Sequence, residues 1–360
     1  MRYKNKSLCL KIEKGDNVRE YVVAVVGANG AVGEEILRVL EKLKFPIKKL
    51  VPLASARSLG KSVLFKNNEV AIKELTNDVF KEESIEIALF SAGGSVSAAF
   101  ASAAVEAGAV VIDNTSHFRM MDSIPLVVPE VNPNDIVEYK TKGIIANPNC
   151  STIQMVQVLK PLDDEFDIQR VDVSTYQATS GAGKLAMEEL VNQMQAFFAF
   201  KLDKAEVKAF AHRIALNVIP QIDKFEENGY TKEEMKMVNE TTKILHKNIP
   251  LSATCVRVPT LRGHAEALSI RFAKEVNATK AKDILKNAPN ITLVDNPSEM
   301  LYPMPSMVLE QDETYVGRVR VDNFDKNILH LFVVADNLRV GAATNAVKIA
   351  QKWAELKEND

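Results

Sequence analysis

A continuous apolar strand followed at once by a glycine-rich turn constrains the fold of this chain more than any other feature. Residues Tyr21–Val26 read YVVAVV, a β-branched run typical of a strand buried on both faces. The turn Gly27–Gly33 reads GANGAVG, and apolar residues recur at helical spacing from Val32 to Leu43. A strand, a glycine turn and a helix in this order predict the first unit of a doubly wound parallel sheet.

The pattern changes near residue 150. Short strands alternate with helices before it, which predicts a Rossmann-type, doubly wound parallel sheet over 21–149. Longer strands with alternating polarity follow, so we expect an α+β domain with a mainly antiparallel sheet, covered by helices on one face, over 150–336. The predicted strands are 49–54, 85–90, 109–113, 143–146, 168–176, 251–258, 264–273, 314–321 and 328–335, and the predicted helices are 97–107, 152–160, 183–200, 231–247 and 341–356.

Composition excludes several classes of protein. A net charge of -2 gives no electrostatic reason to expect nucleic acid or an anionic membrane as a partner. No apolar run approaches the roughly 18 residues that span a bilayer. Residues 1–20 are interrupted by charge, unlike a signal peptide, and are interpreted as a polar N-terminal extension without an assigned role. Three scattered cysteines predict neither a disulfide framework nor a metal site, so we expect a cytoplasmic protein.

The glycine turn is a candidate cofactor site. Glycines there let the backbone approach a pyrophosphate, whose charge is stabilised by free N–H groups at the helix terminus. The spacing G-x-x-G-x-x-G is a variant of G-x-G-x-x-G, and a tight turn without a ligand is the alternative. The cofactor-binding candidates in this turn and in the glycine turn 91–95 are Gly27, Asn29, Gly30, Ala31, Val32, Gly33 and Gly93.

The end of the second strand indicates which dinucleotide binds. Chains that bind NAD usually carry Asp or Glu about 20 residues after the glycines, where it holds the ribose hydroxyls. Here residues 54–58 read ASARS, with no carboxylate. Ser55, Arg57 and Ser58 suit a ribose 2′-phosphate, which makes NADP the predicted cofactor, and a surface loop with one solvated arginine is the alternative.

The segment NPNCST places Cys150 between a predicted strand and a predicted helix. A helix N-terminus is expected to lower the pKa of the thiol and to offer N–H groups to a developing oxyanion. A buried structural thiol is the alternative, but Pro, Asn, Ser and Thr neighbours fit an apolar core poorly. By contrast Cys255, inside a predicted strand, is interpreted as inert core, and Cys9 as an exposed thiol.

The other polar candidates are ambiguous on sequence alone. His264 follows a glycine at a strand start and shares its segment with two arginines, so it is either the proton acceptor for Cys150 or a satisfied loop histidine. His330, in an alternating strand, is interpreted as structural. Glu240 and Lys243 lie one helical turn apart, and a surface ion pair is the default interpretation.

Taken together, these segments resemble aspartate-semialdehyde dehydrogenase from about residue 21 to the C-terminus. No single motif carries the resemblance, because the segments occur in that family's order and spacing. They are GANGAVG, SARS, HFRMMDSIPLVVPEVN, NPNCST, QATSGAG, NETTKIL, VRVPTLRGHAEA and DNLRVGAATNAV.

The resemblance implies roles that spacing could not show. Cys150 would be the nucleophile, His264 the general acid and base, and Gln177 the group that orients the substrate carbonyl. The implied substrate ligands are Arg257 for the α-carboxylate, Glu240 for the α-ammonium, Arg119 and Lys243 for phosphate, and Asn149 beside the nucleophile. Ser180, Gly181 and Asn337 would join the cofactor site, and residues 337–360 would return to the nucleotide-binding domain.

The implied reaction is the reversible, NADPH-dependent reduction of L-4-aspartyl phosphate to aspartate semialdehyde and phosphate, towards lysine, methionine and threonine. A homodimer or homotetramer is implied, with the second domain at the dimer interface. The alternatives are an N-acetyl-glutamyl-phosphate reductase, a CoA-thioester reductase and a catalytically silent nucleotide sensor. Glu240 argues against the first, because an acetylated amine has no charge to pair, and Cys150, Gln177 and His264 together argue against the last.

Overall fold

The N-terminal half of the chain forms a six-stranded parallel sheet. The structure, a computed structural model, describes residues 19–359, so Cys9 and almost all of the predicted extension lie outside the described residues. The elements of this half are β1 (Tyr21–Val26), α1 (Ala31–Lys42), β2 (Ile47–Ala54), β3 (Ser62–Phe65), β4 (Asn68–Ala71), β5 (Lys73–Glu74), α2 (Val79–Glu82), β6 (Ile87–Phe90), α3 (Gly94–Glu106), β7 (Val110–Asp113) and β8 (Ile144–Ala146).

The strand order β5-β2-β1-β6-β7-β8, with every pair parallel, is the doubly wound arrangement that the sequence predicts. The apolar strand β1 is fully buried between β2 and β6. Because the order reverses beside β1, the turns that follow β1 and β6 open at the edge where such sheets bind ligands. Strands β3 and β4 form a hairpin that the sequence does not predict. Lys66 and Asn67 form its turn and have positive φ angles.

The C-terminal half forms a second six-stranded sheet. Its elements are α4 (Cys150–Phe166), β9 (Ile168–Gln177), α5 (Lys184–Phe198), α6 (Lys232–Leu245), β10 (Leu251–Arg257), β11 (His264–Phe272), α7 (Ala278–Asn287), β12 (Ile291–Leu293), β13 (Thr314–Val321), β14 (Ile328–Ala335) and α8 (Thr344–Asn359). The order is β10-β9-β11-β14-β13-β12. Its two outer pairs are parallel and its three inner pairs antiparallel, which agrees with the predicted, mainly antiparallel sheet.

Helix α4 connects the two halves and differs from its prediction over residues 152–160. It begins two residues earlier, at Cys150, and continues through Pro161 to Phe166. Leu162 and Phe166 are buried in the core of the second sheet, and this packing outweighs the hydrogen bond that proline removes. Helices α4, α6 and α7 cover one face of that sheet, whereas residues such as Ser174 and Arg271 remain exposed on the other.

The chain finally returns to the first sheet. A π-helical turn, Arg339–Ala343, precedes α8, where the sequence predicts one regular helix over 341–356. The Trp353 ring of α8 packs edge-on against Tyr21 of β1, with ring centroids 5.8 Å apart. Among residues 19–359, no helix is long and apolar enough to cross a membrane.

Candidate active site

Cys150 is the first residue of α4, and the local backbone holds it firmly. The Oδ1 atom of Asn149 accepts the N–H groups of Ser151 at 3.0 Å and Thr152 at 3.3 Å, which caps the helix. The π-helical turn packs against the cysteine so closely that a Cβ atom at Gly341 would lie 2.5 Å from the Cβ of Cys150. The nucleophile candidate is therefore fixed from both sides.

The pKa of the Cys150 thiol runs against the expectation from its helix terminus. Burial raises that pKa to about 12, and the charge of Glu233 raises it further, whereas Arg119 and Arg257 lower it. The expected low thiol pKa is therefore wrong in this structure, because desolvation outweighs the helix terminus and both arginines. Cys255 is fully buried with its Sγ 3.7 Å from the Sδ of Met237, which agrees with its interpretation as core.

His264 begins β11 and is buried beside the end of β9. Its Nδ1 accepts the N–H of Ala178 at 3.1 Å, so the neutral ring carries its proton on Nε2. Burial, followed by the charge of Arg257, lowers the pKa of His264 to about 3, which keeps the ring neutral. Nε2 is buried without a hydrogen-bond partner among the residues described. The imidazole therefore presents one unused N–H donor.

Arg257 ends β10 with its side chain buried next to His264. Its NH1 donates to the carbonyl of Ala178 at 2.6 Å, and its guanidinium lies 5.8 Å from the ring centroid of Phe210. Burial lowers its pKa, and it forms no ion pair within the described part of the chain. A buried cation without a carboxylate partner is suited to bind an anion.

Arg119 and Glu240 form a buried ion pair at 3.0 Å, which replaces the Glu240–Lys243 surface pair that we expected. Glu240 also accepts the backbone N–H of Asn149 at 2.6 Å. The remaining donors of Arg119 bond the carbonyls of Asn147 at 2.9 Å and Asn114 at 2.7 Å. This pair ties α6 to the loop that carries the nucleophile.

Lys243, the second predicted phosphate ligand, points away from Glu240. Its ammonium donates to the carbonyls of Arg119, Met121 and Ile124, each at 2.8 Å. Burial lowers its pKa. All three donors are in use, so phosphate could bind Lys243 only by replacing one of these bonds.

Gln177 ends β9, and its amide nitrogen faces two partners. It donates to the Oγ of Ser151 and, at 3.2 Å, to Glu233 Oε1, so its carbonyl oxygen is the atom left for a ligand. Glu233 also accepts the side-chain amide of Asn149 at 2.9 Å. Glu233 carries no functional signal in the sequence, because two adjacent glutamates at a helix start are typical of a solvated first turn.

The glycine turn meets the demands of a dinucleotide site. A Cβ atom at Gly33 would lie 2.1 Å from the carbonyl oxygen of Gly27, so this position tolerates only glycine. Gly27 and Gly93 have φ angles of 86° and 96°. Helices α1 and α3 begin after Gly30 and Gly93, which have no side chains to occupy the first N–H groups. These open termini fit a pyrophosphate.

The other cofactor candidates lie on two sides of this turn. Ser55 and Arg57 are exposed at the end of β2, while Ser58 accepts the amide of Asn29 at 2.9 Å. From the second half, Asn337 Oδ1 accepts the N–H of Gly263 at 2.9 Å, and its Nδ2 donates to the Oγ of Ser180, also at 2.9 Å. A Cβ atom at Gly181 would lie 2.9 Å from an Nη of Arg257 and 3.2 Å from Nε2 of His264, so this backbone adjoins both side chains.

Comparison with known proteins agrees with this geometry. Two sequence profiles match, "Semialdehyde dehydrogenase, NAD binding domain" over residues 22–139 and "Semialdehyde dehydrogenase, dimerisation domain" over residues 159–340. The aspartate-semialdehyde dehydrogenase of Campylobacter jejuni is 64% identical over 335 residues, which cover 93% of this chain and 98% of the relative. The chain belongs to the aspartate-semialdehyde dehydrogenase family.

Solved structures of aspartate-semialdehyde dehydrogenases share the whole fold. The Vibrio cholerae aspartate semialdehyde dehydrogenase II, complexed with ASA, superposes with a TM-score of 0.90 at 47% identity, over 94% of this chain and 99% of that one. The Candida albicans enzyme with NADP gives a TM-score of 0.70 at 26% identity, over 93% and 98%. The chain is thus an oxidoreductase of this family with an NAD(P)-binding domain, and the acetylated-substrate and CoA-thioester alternatives are not favoured.

Within the aspartate-semialdehyde dehydrogenase fold, the structure brings the predicted catalytic residues close together. Cys150, Gln177, Arg257 and His264 stand at the ends of α4, β9, β10 and β11, four elements that pack side by side. No group of three or more metal-binding side chains occurs in the region that the structure describes. Glu233 and Gly341 also contribute to this site, and neither is predicted from the sequence.

Proposed function

We propose that this chain reduces L-4-aspartyl phosphate to aspartate semialdehyde and phosphate, reversibly, through a thioester on Cys150. The observation that carries the proposal is the pairing of a nucleophile at a capped helix N-terminus with Arg257, a buried cation that has no carboxylate partner among residues 19–359. A substrate that carries both a carboxylate and an acyl group suits that pair.

Arg257 is proposed to bind the substrate α-carboxylate. Two of its nitrogens are not used by the bond to Ala178, and two parallel donors match a carboxylate. Glu240 is proposed to take the α-ammonium, and Arg119 and Lys243 the phosphate. Arg119 and Glu240 bond each other in this structure, so the charged groups of the substrate must replace some of the bonds within that ion pair. Its ammonium would replace a guanidinium N–H, and its phosphate a carboxylate oxygen.

The chemistry follows from the proton positions. In the direction of reduction, the Cys150 sulfur attacks the carbon of the acyl phosphate, the C–O bond to phosphate breaks, the thiol proton passes to the departing phosphate, and a thioester forms. NADPH, when bound, supplies hydride to the thioester carbon. The Nε2–H of His264 then stabilises the resulting alkoxide, which collapses and expels Cys150. The high pKa of the Cys150 thiol draws a proton back to the sulfur after release.

In the opposite direction His264 is proposed to act as the base. Nε2 must then accept the thiol proton, so it cannot already carry one. In this structure Nε2 is protonated, because Nδ1 accepts the N–H of Ala178. A single shift of the proton from Nε2 to Nδ1 would break the Ala178 bond. The tautomer in this structure is therefore the one suited to reduction.

NADP is proposed as the cofactor, with its pyrophosphate at the N-termini of α1 and α3 and its 2′-phosphate near Arg57, Ser55 and Ser58. We propose domain boundaries at residues 150 and 337. They separate a nucleotide-binding domain and a catalytic domain, each of which contains one of the two sheets. A homodimer or homotetramer is proposed, because no helix of the described residues covers one face of the second sheet, which carries a groove of about 710 Å³ lined by residues such as Ser174 and His330. A cytoplasmic location is proposed as well.

Phosphate-dependent formation of NADPH tests this proposal. Purified protein is mixed with aspartate semialdehyde and NADP, and absorbance is followed with phosphate present or omitted. We expect steady turnover only with phosphate. Turnover that ignores phosphate but requires CoA, or activity only on an N-acetylated semialdehyde, would contradict the assigned substrate.

A further inference from the structure

Glu233 is a buried carboxylate at the first turn of α6, and it bonds the two amide side chains next to the nucleophile. Its Oε1 accepts the Nδ2 of Asn149 at 2.9 Å and the Nε2 of Gln177 at 3.2 Å. Its Oε2 accepts the ammonium of Lys236 at 3.1 Å, and Lys236 is also paired with Asp223 at 3.1 Å. The carboxylate thus has one oxygen on the site and one on its counter-ion.

A carboxylate can only accept hydrogen bonds, which gives Glu233 control over how both amides are turned. It holds the Nδ2 of Asn149 towards α6, so that Oδ1 must face the first N–H groups of α4 and cap the helix that begins at Cys150. It holds the Nε2 of Gln177 in the same way, so that the carbonyl oxygen of Gln177 faces away from it. A donor at position 233 would reverse both amides.

The charge of Glu233 is stable and acts on the reacting groups. Burial alone would raise its pKa, but Lys236 and the amide of Asn149 outweigh burial and lower the pKa to about 2. The charged or titratable groups that act on Cys150 are Glu233 from α6, Arg119 from the loop after β7, and Arg257 from β10, with His264 of β11 also within reach of Glu233 and Arg257. Glu233 is the anion that raises the pKa of this thiol, against the two arginines that lower it.

We propose that Glu233 is a positioning residue for the thioester reaction: it fixes the amides of Asn149 and Gln177 around Cys150 and balances the two arginines that face the thiol. The inference rests on the proposed function, because it assigns Glu233 to the same cleft. It acts through other side chains and does not touch the reacting carbon.

Glu234 supplies a matched control. It is the next residue of the same helix turn, it is buried to a similar degree, and it also bonds across elements, from the backbone N–H of Thr231 at 2.7 Å and of Cys255 at 2.9 Å. Within the described part of the chain, its hydrogen bonds join it to Thr231 and Cys255 and not to Asn149 or Gln177. Glu234→Ala should therefore lower the melting temperature without a specific loss of kcat.

Glu233→Ala removes both amide bonds, and we expect kcat to fall by about 100-fold, as for a misplaced reacting group. Glu233→Gln should restore kcat to within about threefold of wild type. The carbonyl oxygen of the glutamine side chain can accept hydrogen bonds from both amides when it faces the site. Lys236 still has Asp223 as an ion-pair partner. Rescue by glutamine alone separates positioning from general packing.

Alkylation of Cys150 by iodoacetamide, followed across pH, gives a readout that needs no turnover. Loss of the Glu233 charge in Glu233→Gln should shift the profile to lower pH, because the nearby anion disfavours the thiolate. An unmoved profile in this variant overturns the proposal, even if Glu233→Ala fails to fold. Equal kcat losses in Glu233→Ala and Glu234→Ala, or wild-type kcat in Glu233→Ala, overturn it too. If the wild-type protein showed no turnover, the proposed function would be contradicted. The alkylation comparison would then still test the role of Glu233.

Discussion

Replacing Arg257 with lysine tests how the cleft recognises its substrate. Arg257 is buried, one of its nitrogens is bonded to Ala178, and it forms no ion pair in the described residues, so two nitrogens remain for a carboxylate. A lysine ammonium keeps the charge but cannot form two parallel bonds in one plane. Loss of one buried, charge-assisted bond with some misplacement costs about 2–4 kcal/mol, which corresponds to roughly 30- to 900-fold in kcat/KM.

Arg119→Lys is the matched comparison, because Arg119 already has Glu240 and two carbonyls as partners. Lysine can keep the ion pair with Glu240. The main expected effects are therefore a lower melting temperature and weaker binding of phosphate, seen as a higher KM for phosphate. Initial rates are measured with semialdehyde and phosphate varied in turn. If Arg257→Lys changed only the phosphate dependence and Arg119→Lys only the semialdehyde dependence, the substrate would lie in the cleft in the reverse orientation.

Three further predictions follow from other parts of the structure. Arg57→Ala should raise KM for NADP and leave KM for NAD unchanged, and equal losses with both cofactors would make Arg57 structural. Because burial lowers the pKa of His264 from 6.5 to about 3, the unfolded state binds a proton that the folded state refuses, so stability falls as pH drops from 6.5 to 3. Denaturant unfolding of His264→Gln should show a pH slope smaller by up to about 1.4 kcal/mol per unit, and an unchanged slope would contradict the buried neutral ring. Gly341→Ala brings a Cβ to 2.5 Å from that of Cys150 and should cost about 1–3 kcal/mol of unfolding free energy with a loss of kcat, whereas wild-type kcat would show that the π-helical turn can move.

The sequence predicts the fold well because its signals are local. The apolar run of β1, the glycine turn and the helical spacing of α1 each specify an element within a few residues, and their order specifies the parallel sheet. The cysteine at a strand-to-helix junction is also a local signal, and it lies at the start of α4. Errors in the boundaries occurred where tertiary packing extended a helix through Pro161.

The electrostatics of the site could not be predicted in the same way. The partner of Glu240 is Arg119, which is 121 positions away in sequence, instead of the neighbouring Lys243. The pKa of Cys150 depends on burial, which outweighs a helix terminus that the sequence does show. Glu233 resembles any acidic first-turn residue until its contacts with Asn149 and Gln177 are known. Each of these properties arises from groups that folding brings together from distant segments.

The covalent intermediate on Cys150 is the central claim, and mass spectrometry tests it most directly. The protein is mixed with aspartate semialdehyde and NADP without phosphate, quenched in acid and digested. We expect an acyl mass increment on the peptide that contains Cys150, together with a burst of NADPH equal to the number of active sites, and neither in Cys150→Ala. An unmodified Cys150 peptide alongside a full burst, or a burst that survives in Cys150→Ala, would contradict the thioester mechanism.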